Sequence, residues 1–344
     1  METQEPIQYT RSRDGTTIAW TSSGSGPALV FVPPWPSTLE GATWRMFVRP
    51  WWPWKVVTYD RRGFGASEWG VEHSIERYAD DLEAVADAAG LESIVLFGAA
   101  AGCVEAIVLA ARTPRVTRML LGDPPWKPDK DHYATQKSLM ALIDRDFLTF
   151  WRAVLQAIFG WGKEYDVEPN AEAMTRRTNA ADVRACLELL YFQVDLSQYA
   201  PLVQADCVIM HSSRYSILPA ASPIELARHI PRARLVIHGD RQSLPPEAPI
   251  VDFLRGRGDS NEAAAGVGRS SEHRGPHAAR LTTREVEILL AVSRGLTNEA
   301  IAQQLFLSTA TVARHLANIY NKISVRNRVE AANWANEHLG AHGP

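Results

Sequence analysis

Phe97-Gly98-Ala99-Ala100-Ala101-Gly102-Cys103 is the stretch that decides the fold. It closes an apolar run, Ser93–Phe97, and opens an amphipathic one, Val104–Arg112. A buried strand therefore passes into a helix within a few residues. Gly98 and Gly102 suit a tight turn whose helix packs closely on its strand. The same alternation repeats outward. Ala28–Val32, Lys55–Tyr59, Val116–Leu121, Cys207–Met210 and Leu235–Ile237 read as further buried strands, and Ile75–Ala89 and Pro223–His229 as helices. Strands alternating with helices specify an α/β fold, a doubly wound parallel sheet covered on both faces. A long helical stretch, about 127–200, is expected to cap the carboxyl edge, where such sheets bind ligands.

Two stretches resemble α/β-hydrolases. Tyr59-Asp60-Arg61-Arg62-Gly63-Phe64-Gly65-Ala66-Ser67 resembles their D-x-R-G-x-G-x-S turn, and Gly98–Gly102 stands where they carry the nucleophile elbow G-x-S-x-G. The resemblance implies a triad that this chain does not carry. The nucleophile position is Ala100. The acid position, in His211-Ser212-Ser213-Arg214-Tyr215-Ser216-Ile217-Leu218-Pro219, is Tyr215. The loop that would hold the base, Gly239-Asp240-Arg241-Gln242-Ser243-Leu244-Pro245, offers Gln242 and Ser243 but no His. The oxyanion loop is Val32-Pro33-Pro34-Trp35, and proline has no N–H to donate. Acyl transfer needs each role filled, so no catalytic residue is assigned and the chain reads as a non-enzyme. His211, His238 and Asp123 end strands near the expected pocket and could substitute, although a structural histidine is the commoner case. Cys103 lies on a buried helix face, where a thiol is inert.

A pocket without chemistry can still bind. Trp35, Trp44, Trp51, Trp52, Trp54 and Trp69 are six of the eleven tryptophans, gathered around loops that would rim the site. The cap adds Trp126, Phe147, Phe150, Trp151, Phe159, Trp161, Tyr191 and Phe192. Ligand sites are concave and largely apolar or aromatic. The expected ligand-binding set is Trp35, Ala100, Ala101, Trp126, Trp151, Tyr215 and His238, for a small hydrophobic or aromatic effector. Many of these rings would equally serve to pack cap on core, and Trp51-Trp52-Pro53-Trp54 could be a partner patch.

The tail reads as a second, all-α unit of four short helices. Thr282 and Glu285 fit a capping box; Val286, Leu289 and Leu290 mark one buried face; Gly295 supplies a left-handed stop. Thr297 caps the second helix and Ser308 the third. That third helix carries Val312, Leu316, Ile319 and Ile323 as a core stripe. Its other face shows Ala310, Ala313, Arg314, Ala317 and Asn321, with Asn318 at the edge. Small residues permit close approach, and Arg and Asn bond base edges and phosphates. Leu281-Thr282-x-Arg284-Glu285, Gly295-Leu296-Thr297-Asn298-x-x-Ile301-Ala302, Leu307-Ser308-x-x-Thr311-Val312-x-x-His315 and Val325-Arg326-Asn327-Arg328 resemble the LuxR-type (FixJ- and NarL-like) helix-turn-helix. The resemblance implies that the helix over 309–323 enters the major groove and that the helix after Val325 joins two such domains. The expected DNA-facing residues are Thr297, Ser308, Thr309, Thr311, Ala313, Arg314, Asn318, Asn321, Lys322 and Arg326. Family members usually carry Lys where this chain has Ala313.

From Arg280 onward seven basic residues stand against five acidic, while the whole chain is −3. So weak a surplus favours a homodimer on two half-sites of double-stranded promoter DNA over tight monomeric binding. With 46% hydrophobic and 22% charged residues, no apolar run of eighteen, and a polar N-terminus, a cytoplasmic chain without membrane segment or signal peptide is expected. Three scattered cysteines suggest free thiols, with no metal and no cofactor. The expected division is a sensor domain over 1–254, a flexible linker over 255–279 rich in Gly and Ser, and a DNA-binding domain over 280–344 with its helix-turn-helix at about 298–323. The front part also looks like hydrolase-like domains fused to adenylate cyclases and LuxR-type tails. Three readings stay open: a ligand-sensing regulator, a regulator whose front domain is only a dimerisation or docking scaffold, and an unorthodox hydrolase or lyase on a DNA-binding tail.

Overall fold

The computed structural model describes residues 6–41, 54–128, 134–159, 166–212, 221–238, 253–256, 283–293, 295–304, 309–323 and 325–339. Eight strands form one sheet: β1 Gln8–Arg11, β2 Thr17–Gly24, β3 Ala28–Val32, β4 Lys55–Tyr59, β5 Ile94–Ala99, β6 Val116–Gly122, β7 Asp206–Ser212 and β8 Ala233–His238. Their order is β1-β2-β4-β3-β5-β6-β7-β8. From β4 through β8 all pairings are parallel, while β1 and β2 add an antiparallel edge.

Side chains alternate across the strands as the pleat requires. Val30, Val32, Leu96, Met119, Leu121, Cys207 and Ile209 point into a large core shared with the helices. Leu29, Phe31, Phe97, Leu120, Val208 and Met210 enter a second cluster with Trp54, Phe253 and Leu254 on the opposite face. Helices α1 (Ile75–Ala88), α2 (Gly102–Arg112) and α7 (Ala221–His229) cover the first face. Ser74 caps α1 by accepting from the Arg77 N–H.

Between β6 and β7 lies the helical cap: α3 (Ala134–Met140), α4 (Phe147–Phe159), α5 (Val167–Arg176), α6 (Ala180–Leu187), one π-helical turn over Glu188–Gln193 and a 3-10 turn over Ala200–Leu202. The Asp60–Ser67 turn anchors it. The Asp60 carboxylate accepts from the Leu39 and Ala66 N–H groups at 2.6 and 2.8 Å, and the Gly65 N–H donates to the Arg177 carbonyl of the cap at 2.8 Å. Gly65 has φ 56°, and a Cβ there would lie 2.1 Å from an Asp60 oxygen, so no other residue fits. Asp182 of α6 completes the latch, accepting from the Gly70 N–H at 2.7 Å and bonding His73 at 3.0 Å.

In the tail, helices Thr283–Ser293, Asn298–Gln304, Thr309–Ile323 and Arg328–Leu339 surround a core of Ile288, Leu289, Val292, Ile301, Val312, Leu316, Ile319 and Ile323. Ile224 of α7 is buried in the same cluster. Gly295 has φ 78° and ends the first of these helices; Thr297 accepts from the Ala300 N–H and caps the second. Thr282, Ser308 and most of 255–279 lie outside the described residues.

Candidate functional site

Ala100 is the hinge of the site. It stands between β5 and α2 with φ 46°, and only one other described non-glycine residue, Asp123 at φ 49°, has positive φ. Such a backbone costs an L-residue of order 1–3 kcal/mol and persists only where its surroundings impose it. Here they do. The Ala100 N–H donates to Gly122 at 2.7 Å, and the Ala100 carbonyl accepts from Cys103 at 3.0 Å. A Cβ on Gly102 would lie 2.3 Å from the Val32 carbonyl oxygen, so the loop after β3 presses directly on the first turn of α2. The geometry is that of a strand–elbow–helix turn whose apex, half-buried, holds a methyl group.

Along the carboxyl edge the register makes neighbours of the next residues. Ala99 pairs with Gly122, and Gly122 with Met210, so Ala100, Asp123 and His211 follow in one row. Asp123 donates its N–H to the Met210 carbonyl at 2.8 Å, and its carboxylate bonds His211 Nδ1 at 2.8 Å. Both side chains are nearly dry, at 1% and 5% exposure. Sequence reading placed each near the pocket separately; their pairing depends on strand register and was not visible in either motif. On the other side of β5, three residues past the end of β3, Trp35 stacks on Trp151 of the cap with ring centroids 5.7 Å apart and meets Tyr191 edge-on at 6.4 Å. The indole N–H groups of Trp35 and Trp151 are buried and unpartnered among the described residues, as are those of Trp20 and Trp54 elsewhere.

Beneath this row lies a buried charge cluster that sequence reading missed. Arg61 donates to Glu105 from Nη2 at 2.6 Å and from Nε at 3.1 Å, and its Nη2 also bonds the Pro33 carbonyl at 3.2 Å. The Tyr59 hydroxyl adds 3.1 Å to the same Glu105 oxygen, and Arg61 lies over the Tyr78 ring at 5.2 Å. Burial raises the Glu105 carboxyl above its ordinary value although Arg61 pulls it down. Burial works against the Arg61 charge, but Glu105 together with Cys186, Tyr59 and Tyr78 outweighs it and holds the guanidinium above its ordinary value. A glutamate inside the otherwise apolar 102–112 helix was the available signal. Burial, with Asp123 nearby, pushes the Cys103 thiol well above its ordinary value, which disfavours the thiolate.

The expected ligand set divides accordingly. Trp35 and Trp151 meet, and Ala100 and Ala101 are half-buried at the elbow. The Trp126 ring stacks instead on His229 at 4.6 Å, with Lys127 above it. His238 ends β8, but its side chain and the whole of Tyr215 lie outside the described residues, as do Gln242 and Ser243. Among the described residues no cluster of His, Cys, Asp and Glu could hold a metal ion. No described helix is long and apolar enough to cross a membrane.

On the tail, the stripe Val312, Leu316, Ile319 and Ile323 is buried, and Thr309, Ala313, Arg314, Ala317 and Asn318 are exposed together. Thr297 and Arg326 are exposed, and Thr311 is half-buried. Lys322 is occupied, its ammonium bonding both Glu285 oxygens at 2.7 and 2.8 Å. That pair ties the third helix to the first and leaves Lys322 less available to a phosphate than expected. The Asn321 side chain is outside the described set.

Residues 52–239 match the family model described as serine aminopeptidase, S33, and residues 279–335 match bacterial regulatory proteins, luxR family. The chain belongs to the serine aminopeptidase S33 family. Its tail belongs to the luxR family. The CsgBAC operon transcriptional regulatory protein of Escherichia coli K12 is 37% identical over 111 residues, 30% of this chain and 51% of that protein. The transcriptional regulatory protein LiaR of Bacillus subtilis is 42% identical over 66 residues, 19% of this chain and 31% of that protein. The chain thus spans about half or less of these curated relatives. The bromoperoxidase of Bacillus anthracis shares the fold at TM-score 0.60 and 17% identity, over 76% of this chain and 98% of that one. An alpha/beta hydrolase from Sphaerobacter thermophilus matches at TM-score 0.54 and 25% identity, over 72% of this chain and all of its own length.

Proposed function

We propose that this protein is a DNA-binding transcriptional regulator whose hydrolase-fold domain, over 1–254, binds a small hydrophobic or aromatic effector and no longer performs acyl transfer. The observation that carries the reading is Ala100. The elbow keeps its strained geometry, at φ 46°, without the hydroxyl that would use it. A scaffold relieved of all function gains nothing from retaining that strain. Pro33 and Pro34 offer no N–H to an oxyanion, and Cys103 is buried. Trp35, stacked on the buried Trp151 between core and cap, is the ring a ligand would meet once the cap shifts. The tail's exposed Ala313, Arg314, Ala317 and Asn318 suit a major groove, and a dimer would read two half-sites. For the signal, a ligand must bind one cap position better than another. Motion at the cap base could reach the tail through α7, whose His229 stacks on Trp126 and whose Ile224 is buried with the tail core.

The His211–Asp123 pair is the one observation that favours a working enzyme instead. Selection of random duplex DNA by the full chain tests the main reading. Enrichment of an inverted repeat, with half-sites about one helical turn apart, is expected. Recovery without sequence preference would contradict it.

A further inference from the structure

The row Ala100–Asp123–His211 holds a polar pair along the carboxyl edge of the sheet. A carboxylate can only accept, so the 2.8 Å contact makes His211 Nδ1 the donor to Asp123. Nε2, on the opposite edge of the ring, is left to act as the acceptor of a neutral imidazole, and it has no partner among the described residues. The His211 side chain is 5% exposed, so a group that reaches Nε2 meets it in surroundings where a hydrogen bond counts for more than in water. The backbone is bent to arrange this: Asp123 takes φ 49° to reach His211, immediately beside the strained Ala100. The sheet order β3-β5-β6-β7 then puts the Trp35 loop, Ala100, Asp123 and His211 in succession along one edge. An apolar ring would face tryptophan at one end and a nitrogen lone pair at the other.

We propose that this row binds a small weak acid, an aromatic or alicyclic molecule bearing one phenol, enol or carboxylic acid group, and that His211 Nε2 accepts its acidic O–H. The ligand's proton is shared with, or passes to, Nε2; the imidazolium so formed sits between the ligand oxygen and the Asp123 carboxylate, and no bond to carbon changes. A neutral ester or amide of the same shape has no such proton to offer. The proposal rests on the sensor reading, whose chemistry of ligand it narrows.

The test titrates 4-nitrophenol and its methyl ether, 4-nitroanisole, into the full chain, following heat and the phenol's absorbance. The wild type is expected to bind the phenol more tightly than the ether, with a perturbed phenol band. His211→Gln should lower phenol affinity about tenfold, the worth of one strong hydrogen bond, and barely change that for the ether. Asp123→Asn, which keeps the shape, should act in the same direction. Equal binding of phenol and ether by the wild type, or phenol binding unaffected by either variant, would overturn the weak-acid assignment while leaving the sensor reading standing. Binding of neither probe would count against both. Release of methanol from the ether would show catalysis at the dyad and overturn the proposal in favour of an enzyme.

Discussion

His211 and Asp123, 88 residues apart in sequence, join the ends of neighbouring strands through a 2.8 Å hydrogen bond beside an elbow that carries alanine. A carboxyl group and an imidazole are thus paired across β6 and β7, next to an elbow whose side chain is a methyl group. The consequences for function follow from that arrangement.

Ala100→Ser is expected to leave the full chain without esterase activity on 4-nitrophenyl acetate. The introduced hydroxyl would occupy the elbow, but Pro33 and Pro34 still offer no N–H to the oxyanion, whose lost donors cost roughly a hundredfold or more in rate each. Turnover above the wild type, abolished by His211→Gln, would show that the dyad reaches the elbow as a general base.

Gly102→Ala is expected to destabilise the front domain by about 1–3 kcal/mol or more through overpacking, since its Cβ would meet the Val32 carbonyl at 2.3 Å. Urea unfolding of the full chain measures this; an unchanged midpoint would mean that the loop after β3 yields freely.

Asp182→Ala should loosen the cap, because His73, the Gly70 N–H and Asn179 all bond this carboxylate. Hydrogen bonds to a charged group contribute about 1.5–3 kcal/mol. Burial alone would raise the carboxyl, but these bonds outweigh it and hold it below the ordinary value. Its contribution is therefore complete above about pH 4 and fades as pH falls through the lowered value. Cleavage of the cap by a protease at neutral pH should be faster in the variant than in the wild type.

Asp60 should titrate in the opposite sense. Burial pushes its carboxyl up to about 7 despite the N–H groups of Ala66 and Leu39. The folded state then holds a proton that the unfolded chain releases near pH 4, so Asp60 favours folding most at acid pH. That contribution is lost as pH rises from about 4 to about 7. Asp60→Asn should flatten the wild type's fall in stability across this window; parallel curves would show that Asp60 is ionised throughout.

Arg314→Ala is expected to weaken binding to selected DNA by about 1–3 kcal/mol if Arg314 makes a base contact. Affinity equal to wild type at several salt concentrations would remove Arg314 from the reading face.

The parallel sheet was legible because its strands are apolar on both faces, and every expected strand from Ala28 onward is present. Strand ends were less so. β5, β6 and β7 run on through Ala99, Gly122 and Ser212, because ladder hydrogen bonding outlasts the apolar run. β1 and β2 escaped notice since Gln8–Arg11 is largely exposed and Thr17–Gly24 ends in polar residues on an antiparallel edge. At the site, Ala100 could be read from its glycines alone. Arg61–Glu105 and His211–Asp123 could not, since each joins distant residues through strand register. In the tail the Gly295 stop, the Thr297 cap and the Val312–Ile323 stripe were legible in the sequence, the Thr282 and Ser308 caps lie outside the described residues, and the capture of Lys322 by Glu285 needed coordinates.

The most direct test of ligand sensing is a thermal-shift screen of the full chain against aromatic and lipid-like small molecules. A saturable rise in Tm that follows mass action is expected, about 2.7 kcal/mol of stabilisation at a hundredfold excess over Kd. A well-folded protein that no such molecule stabilises would contradict the sensor, and the front domain would then be a scaffold.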